Sequence, residues 1–344
     1  MLRLTSEQIL EKIRKAFSPF HVVAELQDYH RKLGFRVYGE NDELVGTCEG
    51  ALVEDRHSGK PEAADQRTRA TTCEARAKDF GPVVRRIGNS LGTGMMPVIV
   101  KQIWTANAYR NFNYLIACSE TGEALAIDPL DHEKCLKAAK EEGWTITQIL
   151  NTHEHRDHTG GNEAMVRKTG ATILAHKNAR DKIADMARGL SAGDVVKVGK
   201  TVELEVLDTP GHTMCHVCLL SHTDQPALFC GDTLFNAGAG NCHNGGHPEE
   251  LYKTFDQQLA KLPPSTLIYP GHDYMENNLR FTLNREPDNK SARKMLDKLA
   301  GQDPNSAYVS TLEVEGEINT FFRLTSPTVI AKLREVLSRI AREA

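Results

Sequence analysis

From residue 97 onward the apolar positions fall into short runs rich in Val, Ile and Leu, each closed by Gly, Pro, Asp or His. Val98-Ile99-Val100, Tyr114-Leu115-Ile116, Ala124-Leu125-Ala126-Ile127-Asp128 and Ile146-Thr147-Gln148-Ile149-Leu150-Asn151 read as buried strands. The segment from Asp131 to Glu142 reads as a helix, and Gly160-Gly161 turns the chain into another that starts near Asn162. Strands that alternate with helices predict sheets covered by helices. Beyond Pro270 the pattern turns helical, with candidates at Tyr274 to Arg285, Lys290 to Ala300 and Thr328 to Glu343.

The first part of the chain has a different texture. Thr5-x-x-Gln8 has the form of a capping box, and Ile9, Leu10, Ile13, Ala16 and Phe17 recur at helical spacing, so a helix is expected to end before Ser18-Pro19. His21 to Ala24 and Phe35 to Tyr38 read as short strands, with a turn at Gly39-Glu40-Asn41-Asp42 leading into Leu44-Val45. The polar tract from Glu54 to Arg69 reads as a long loop, and the three glycines of Gly88-Asn89-Ser90-Leu91-Gly92-Thr93-Gly94 mark a linker. The expected organisation is a small α+β extension over residues 1–95, a domain of sheets and helices over 96–270 and a helical subdomain over 271–344.

The chemistry concentrates in Thr152-His153-Glu154-His155-Arg156-Asp157-His158, directly after an apolar run. Neutral imidazole and carboxylate are the usual ligands of zinc and its neighbours. His153 and His155 are spaced to face one ion, and Asp157 and His158 a second beside it. A polar loop with surface histidines is the competing explanation, and it leaves three later segments unexplained. Leu204 to His216 ends in Thr209-Pro210-Gly211-His212-Thr213-Met214-Cys215-His216, Ala227 to Phe235 contains Gly231-Asp232-Thr233, and Leu267 to Tyr274 contains Gly271-His272-Asp273. Four strand ends that each deliver His or Asp describe one metal-binding edge.

In this order the motifs resemble the metallo-β-lactamase superfamily, and within it the glyoxalase II (hydroxyacylglutathione hydrolase) family, over about residues 97–344. The resemblance extends to Asn277, Asn278, Phe281 and Glu286-Pro287-x-Asn289, to Ser310-Thr311-Leu312 and to Asn319-x-Phe321-Phe322-Arg323. It implies an αββα sandwich with a C-terminal helical substrate-binding subdomain and two divalent ions, zinc first, with iron or manganese as alternatives. His153, His155 and His216 would hold one ion, Asp157, His158 and His272 the other, and Asp232 would bridge them. Asp157 and Asp232 are the catalytic carboxylates of this reading, and His212 organises the loop. The implied reaction is hydrolysis of S-D-lactoylglutathione or a related hydroxyacyl thioester. Two cations supply an acidified water and a polarised carbonyl, so no side-chain nucleophile is required. Cys215 and Cys218, although close to His216, read as small packed residues.

Composition restricts the alternatives. A net charge of −4 and a densest basic stretch, Arg67 to Arg86, that is interleaved with acids argue against nucleic acid as substrate. No run approaches the roughly 18 apolar residues of a membrane span. The start, Met1-Leu2-Arg3-Leu4-Thr5, lacks the form of a signal or transit peptide, and eight scattered cysteines fit a reducing cytoplasm. Self-association through the N-terminal extension is compatible with this picture. For substrate contacts the resemblance points to Tyr274, Asn241 and Arg323. Asn241 stands where the family carries a basic residue, and Leu324 to Thr328 lacks the basic residues expected after Arg323. Those differences keep a second thiol carrier under consideration. A persulfide dioxygenase with a single iron is the other alternative, opposed by the complete second-metal set.

Overall fold

Alternation along the strands decides which face each sheet buries, and so where the functional edge lies. The computed structural model describes three strands before residue 53 and then residues 98–326 and 329. The helix expected over residues 5–17, the loop over 54–69, the linker over 88–94 and, apart from Val329, the helix over 328–343 lie outside the described residues. The three early strands are β1 (His21–Gln27), β2 (Lys32–Tyr38) and β3 (Leu44–Leu52). They form an antiparallel meander in that order, longer at the ends than the apolar runs alone indicate.

Residues 97–221 and 225–344 belong to a second unit. Its first sheet runs in chain order through β4 (Ile99–Trp104), β5 (Phe112–Ala117), β6 (Glu123–Ile127), β7 (Thr145–Leu150), β8 (Thr172–His176) and β9 (Met186–Leu190). The second runs β10 (Val195–Val198), β11 (Val202–Asp208), β12 (Val217–Ser221), β13 (Ala227–Gly231), β16 (Leu267–Pro270) and β17 (Ser310–Thr311). A hairpin of β14 (Leu234–Phe235) and β15 (Gly238–Ala239) leaves the edge after β13.

Side chains alternate between the two faces of a strand. Phe112, Tyr114 and Ile116 of β5 therefore meet Leu204 and Val206 of β11, Leu219 of β12 and Phe229 of β13 in the layer between the sheets. The intervening Leu115 and Ala117 face outward, where Cys135, Ala138 and Ala139 of α1 (His132–Glu142) and Met165 cover them. Across the molecule Cys218, Leu220 and Leu228 pack under Leu251 and Phe255. The result is the expected αββα sandwich, with β5, β12 and β13 buried on both faces.

The other α-helices among the described residues are α2 (Arg156–Thr159), α3 (Asn162–Thr169), α4 (Pro248–Gln257), α5 (Met275–Arg285), α6 (Lys290–Leu299) and α7 (Leu312–Ile318). Met165 lies on α3, and Leu251 and Phe255 on α4. The single turn α2 inside the His/Asp cluster does not stand out in the hydrophobic pattern, because four residues are too few to show a period.

Candidate metal centre

Four strand ends converge. β7 runs into residues 152–158, β11 into 209–216, β13 into Asp232 and β16 into His272. Close approach of the last two needs glycine. A Cβ on Gly271 would lie 2.3 Å from Asp232 Oδ1, and Gly231 adopts φ +45° with Thr152 Oγ1 2.4 Å from where its Cβ would stand.

Five imidazoles each have one nitrogen anchored outward. His212 Nδ1 donates to the Asn241 carbonyl at 2.6 Å, His272 Nδ1 to the Tyr109 carbonyl at 2.6 Å and His155 Nε2 to the Asn244 carbonyl at 3.1 Å. His158 Nδ1 donates to Asp128 Oδ2 at 2.9 Å. The Thr152 hydroxyl spends its proton on Asp128 Oδ2 at 2.7 Å, so it accepts from His153 Nδ1 at 3.0 Å. Carbonyl, carboxylate and committed hydroxyl only accept, so these five anchors fix the tautomers. In the neutral rings the other nitrogens, His153 Nε2, His155 Nδ1, His158 Nε2, His212 Nε2 and His272 Nε2, carry the lone pairs and face inward.

With the carboxylates of Asp157 and Asp232 these atoms form three overlapping groups. His153, His155 and His212 make one, Asp157, His158 and His272 another, and His153, His158 and Asp232 a third between them, the ligand atoms of each lying within 4.8 Å of one another. Asp232 Oδ2 is 3.5 Å from His212 Nε2 and 3.2 Å from His272 Nε2. Its Oδ1 is buried, 3.3 Å from His158 Nε2, and makes no hydrogen bond among the described residues.

Burial depresses the pKa of His153 and His212 and keeps both neutral. His158 goes the other way, because Asp232 and Asp128 outweigh its burial. Burial also works to raise the pKa of Asp232, but His158 and His272 hold it well below the usual carboxylate range. Lone pairs facing lone pairs around a buried anion are unfavourable without positive charge between them. The donor set therefore fits a dinuclear centre of divalent ions.

His216 departs from the sequence expectation. Its Nε2 accepts the Asp232 backbone N–H at 3.2 Å, and its Nδ1 lies 2.9 Å from Thr209 Oγ1 and 3.0 Å from Thr233 Oγ1. Both nitrogens are occupied by these contacts, and His212 rather than His216 lies in the group with His153 and His155.

Two expected substrate contacts are engaged within the fold. Arg323 is turned onto Glu286, with Nε to Oε2 at 2.9 Å and Nη2 to Oε1 at 2.7 Å, while Nη1 donates to the Gly316 carbonyl at 2.6 Å. Its donors tie α7 to the end of α5. Asn241 contributes its carbonyl to His212, and its side chain accepts from the His243 N–H at 3.0 Å. Tyr274 does flank the centre, its ring stacked on His272 at 4.8 Å and 8°.

The Arg323 contact carries a stability prediction. Burial pushes Glu286 up, but hydrogen bonds from Arg323 and Thr320 leave its carboxyl below the ordinary 4.5. A depressed carboxylate stabilises the fold above its unfolded pKa, and that contribution is lost as pH falls through the folded value. Arg323→Ala is expected to cost about 1–3 kcal/mol at pH 7 in denaturant unfolding, with the difference from wild type shrinking as Glu286 is protonated in acid. A pH-independent difference would contradict the assignment.

Several functional groups carry no distinctive signal in the sequence. Asp128, with φ 48°, accepts the Thr152 N–H, the Thr152 hydroxyl and His158 Nδ1. Such partners raise ligand basicity, and its place at the end of β6 is the only clue to it. Asn111 donates to Asp157 Oδ2 at 3.3 Å. Buried Glu315 accepts from Ala237 N at 2.7 Å, Ser310 Oγ at 2.6 Å and Asn319 Nδ2 at 3.1 Å, and so braces the β14–β15 hairpin. Asn278 Nδ2 donates to the Asn236 carbonyl of the same hairpin at 3.0 Å. The C-terminal motif residues thus act through the loop that follows Asp232. Cys215 and Cys218 are packed, as expected, and burial lifts the Cys218 thiol to about 12.

Two family models match in succession, one described as the metallo-beta-lactamase superfamily over residues 114–272 and one as the hydroxyacylglutathione hydrolase C-terminus over residues 273–342. A hydroxyacylglutathione hydrolase of Nitrosococcus oceani is 66% identical over 245 residues, which is 71% of this chain and 93% of that protein. One from Polaromonas sp. is 68% identical over 238 residues, 69% and 90% of the two chains. Among solved structures, ETHE1 from Myxococcus xanthus is 25% identical with a TM-score of 0.51, covering 67% of this chain and 92% of its own. Among the described residues no helix is long and apolar enough to cross a membrane.

Proposed function

The chain belongs to the hydroxyacylglutathione hydrolase family of the metallo-β-lactamase superfamily, and from that premise we propose that it hydrolyses S-D-lactoylglutathione or a closely related hydroxyacyl thioester to the hydroxy acid and free thiol. The observation that carries the reading is the pair of donor groups on either side of Asp232. His153, His155 and His212 would hold one ion and Asp157, His158 and His272 the second, with Asp232 shared. Zinc is our first assignment, since it accepts imidazole and carboxylate alike. What such a pair of divalent ions supplies when bound is Lewis acidity toward water and toward a carbonyl oxygen.

The chain's own residues do the rest. Asp128, Thr152 and the carbonyls of Tyr109, Asn241 and Asn244 keep the outer imidazole nitrogens protonated, so that the inner ones stay available. Asp157, with 27% of its side chain exposed against 8% for Asp232, is the carboxylate nearer solvent and the one we assign to accept the proton of the attacking water. Water adds to the thioester carbon, the C–S bond breaks, and the thiolate leaves to be protonated. The Tyr274 ring beside His272 forms a wall for the substrate. The names of relatives at 66% and 68% identity favour glutathione over another thiol carrier, and a full second donor group disfavours a single-iron dioxygenase. We set the reaction in the cytoplasm, in keeping with the free thiols of Cys118, Cys135, Cys215, Cys218, Cys230 and Cys242.

The test is hydrolysis of S-D-lactoylglutathione before and after chelation. Activity is expected to fall to background on chelation and to return with two equivalents of metal per chain. Full activity in metal-stripped protein would sink the proposal.

A further inference from the structure

We propose that a cavity beside Tyr274 binds the zwitterionic α-amino-acid end of the thiol carrier, its carboxylate on Arg110 and Arg280 and its ammonium on Asp273 and Glu276. The inference rests on the thioesterase reading above and names residues that set its substrate class.

The cavity, about 320 Å³, is lined by Arg110, Asp273, Tyr274, Glu276, Asn277 and Arg280 among others, a volume in the range of small-molecule sites. It adjoins the metal centre through Tyr274, stacked on His272, and through the loop that carries Arg110. In that loop the Tyr109 carbonyl accepts from His272, and Asn111 reaches Asp157.

Arg110 is held in place before any ligand arrives. Its Nε donates to the Asp273 carbonyl at 2.8 Å, Nη2 pairs with the Asp273 carboxylate, and the guanidinium lies 4.9 Å from the centre of the Trp104 ring. Its Nη1 makes no hydrogen bond among the described residues. The backbone at Arg110 has φ 58°, a left-handed conformation that disfavours any residue with a Cβ and persists where the surroundings impose it. Arg280 Nη2 pairs with Glu276 Oε1 at 2.7 Å, one turn apart on α5. Each pair engages one edge of its guanidinium and leaves the rest available.

The sign of the charges selects the ligand. Two guanidiniums and two carboxylates cancel, so a plain anion would gain the arginines and meet Asp273 and Glu276 as well. A group bearing carboxylate and ammonium on one carbon pairs with both signs, and such complementarity is how a site discriminates. The γ-glutamyl arm of glutathione ends in that group, because its peptide link runs through the side-chain carboxyl. Asn241, where a basic residue was expected, and Arg323, spent on Glu286, leave the arginines of this cavity to recognise the carrier.

The experiment compares S-D-lactoylglutathione with S-D-lactoyl-N-acetylcysteinylglycine, which keeps the thioester, the cysteine amide and the glycine carboxylate but lacks the zwitterion. For the holoenzyme the ratio of kcat/KM is expected to favour the glutathione thioester by about tenfold or more. Arg110→Gln and Arg280→Gln are each expected to pull that ratio toward one. Arg280 is on an exposed helix face, so its variant tests the site even if the loop carrying Arg110 needs its arginine to fold. Calorimetry with S-methylglutathione and S-methyl-N-acetylcysteinylglycine reads the same preference without turnover. An unchanged ratio in both variants, or equal binding of the two ligands by wild type, overturns the proposal. Arginine-dependent binding of S-methylglutathione by a protein that cleaves no lactoyl thioester would uphold the site and overturn the proposed function instead.

Discussion

Asp232→Ala is expected to lower kcat/KM for S-D-lactoylglutathione by more than about 100-fold, since groups that merely support metal ligands are worth about 10–100-fold. The carboxylate sits between the two donor groups, within 3.5 Å of His158, His212 and His272. Without it the imidazoles have no shared counter-charge, and both ions lose a ligand. Bound metal per chain should fall with the activity, while circular dichroism should report an intact fold. The buried Oδ1 adds a second expectation. An unpaired buried acceptor costs about 1–3 kcal/mol, which cations would relieve, so metal loading should raise the melting temperature of wild type more than that of the variant. Wild-type metal content and turnover in Asp232→Ala would remove this residue from the centre.

The second large effect separates two histidines of one segment. His212→Ala is expected to cost more than about 100-fold in kcat/KM and to lower metal occupancy toward one ion per chain, because it removes an inward lone pair from the first donor group. His216→Ala should keep two ions and lose about 10–100-fold, since His216 acts on Asp232 through the backbone N–H. It should also be less stable by about 1–3 kcal/mol, because that buried N–H is left without its acceptor. Metal analysis decides between the assignments. Loss of one ion in His216→Ala with full occupancy in His212→Ala would restore the roles that the sequence motif implied.

That exchange of roles shows where linear reading stops. In Thr209-Pro210-Gly211-His212-Thr213-Met214-Cys215-His216 both histidines follow a strand, and both become buried. Their roles diverge because Thr209, Thr233 and the Asp232 N–H capture His216, whereas the Asn241 carbonyl turns His212 Nε2 toward His155 at 3.1 Å. None of those partners except Thr209 lies in the same segment. Arg323 is a similar case, since its carboxylate partner Glu286 comes from the end of another helix. Asp128 looks in sequence like any aspartate before a proline until β6 and β7 pair in parallel and bring it to Thr152.

The amino-acid sequence by itself determined the apolar runs of β5, β6 and β7 and the helical spacing of α1, α5 and α6, because such patterns are local, while the αββα sandwich followed from the family resemblance. It also determined that four strand ends carry His and Asp to one edge, which implies metal chemistry from residue type alone. Only the tertiary structure decided which nitrogen of each imidazole is free, that Asp232 lies between two donor groups, and that Arg110 and Arg280 share a cavity with Asp273 and Glu276. Those outcomes depend on hydrogen bonds and charge pairs between segments far apart in the chain. A ligand is defined by the direction of its lone pair, and that direction is set by the partner on the far side of the ring.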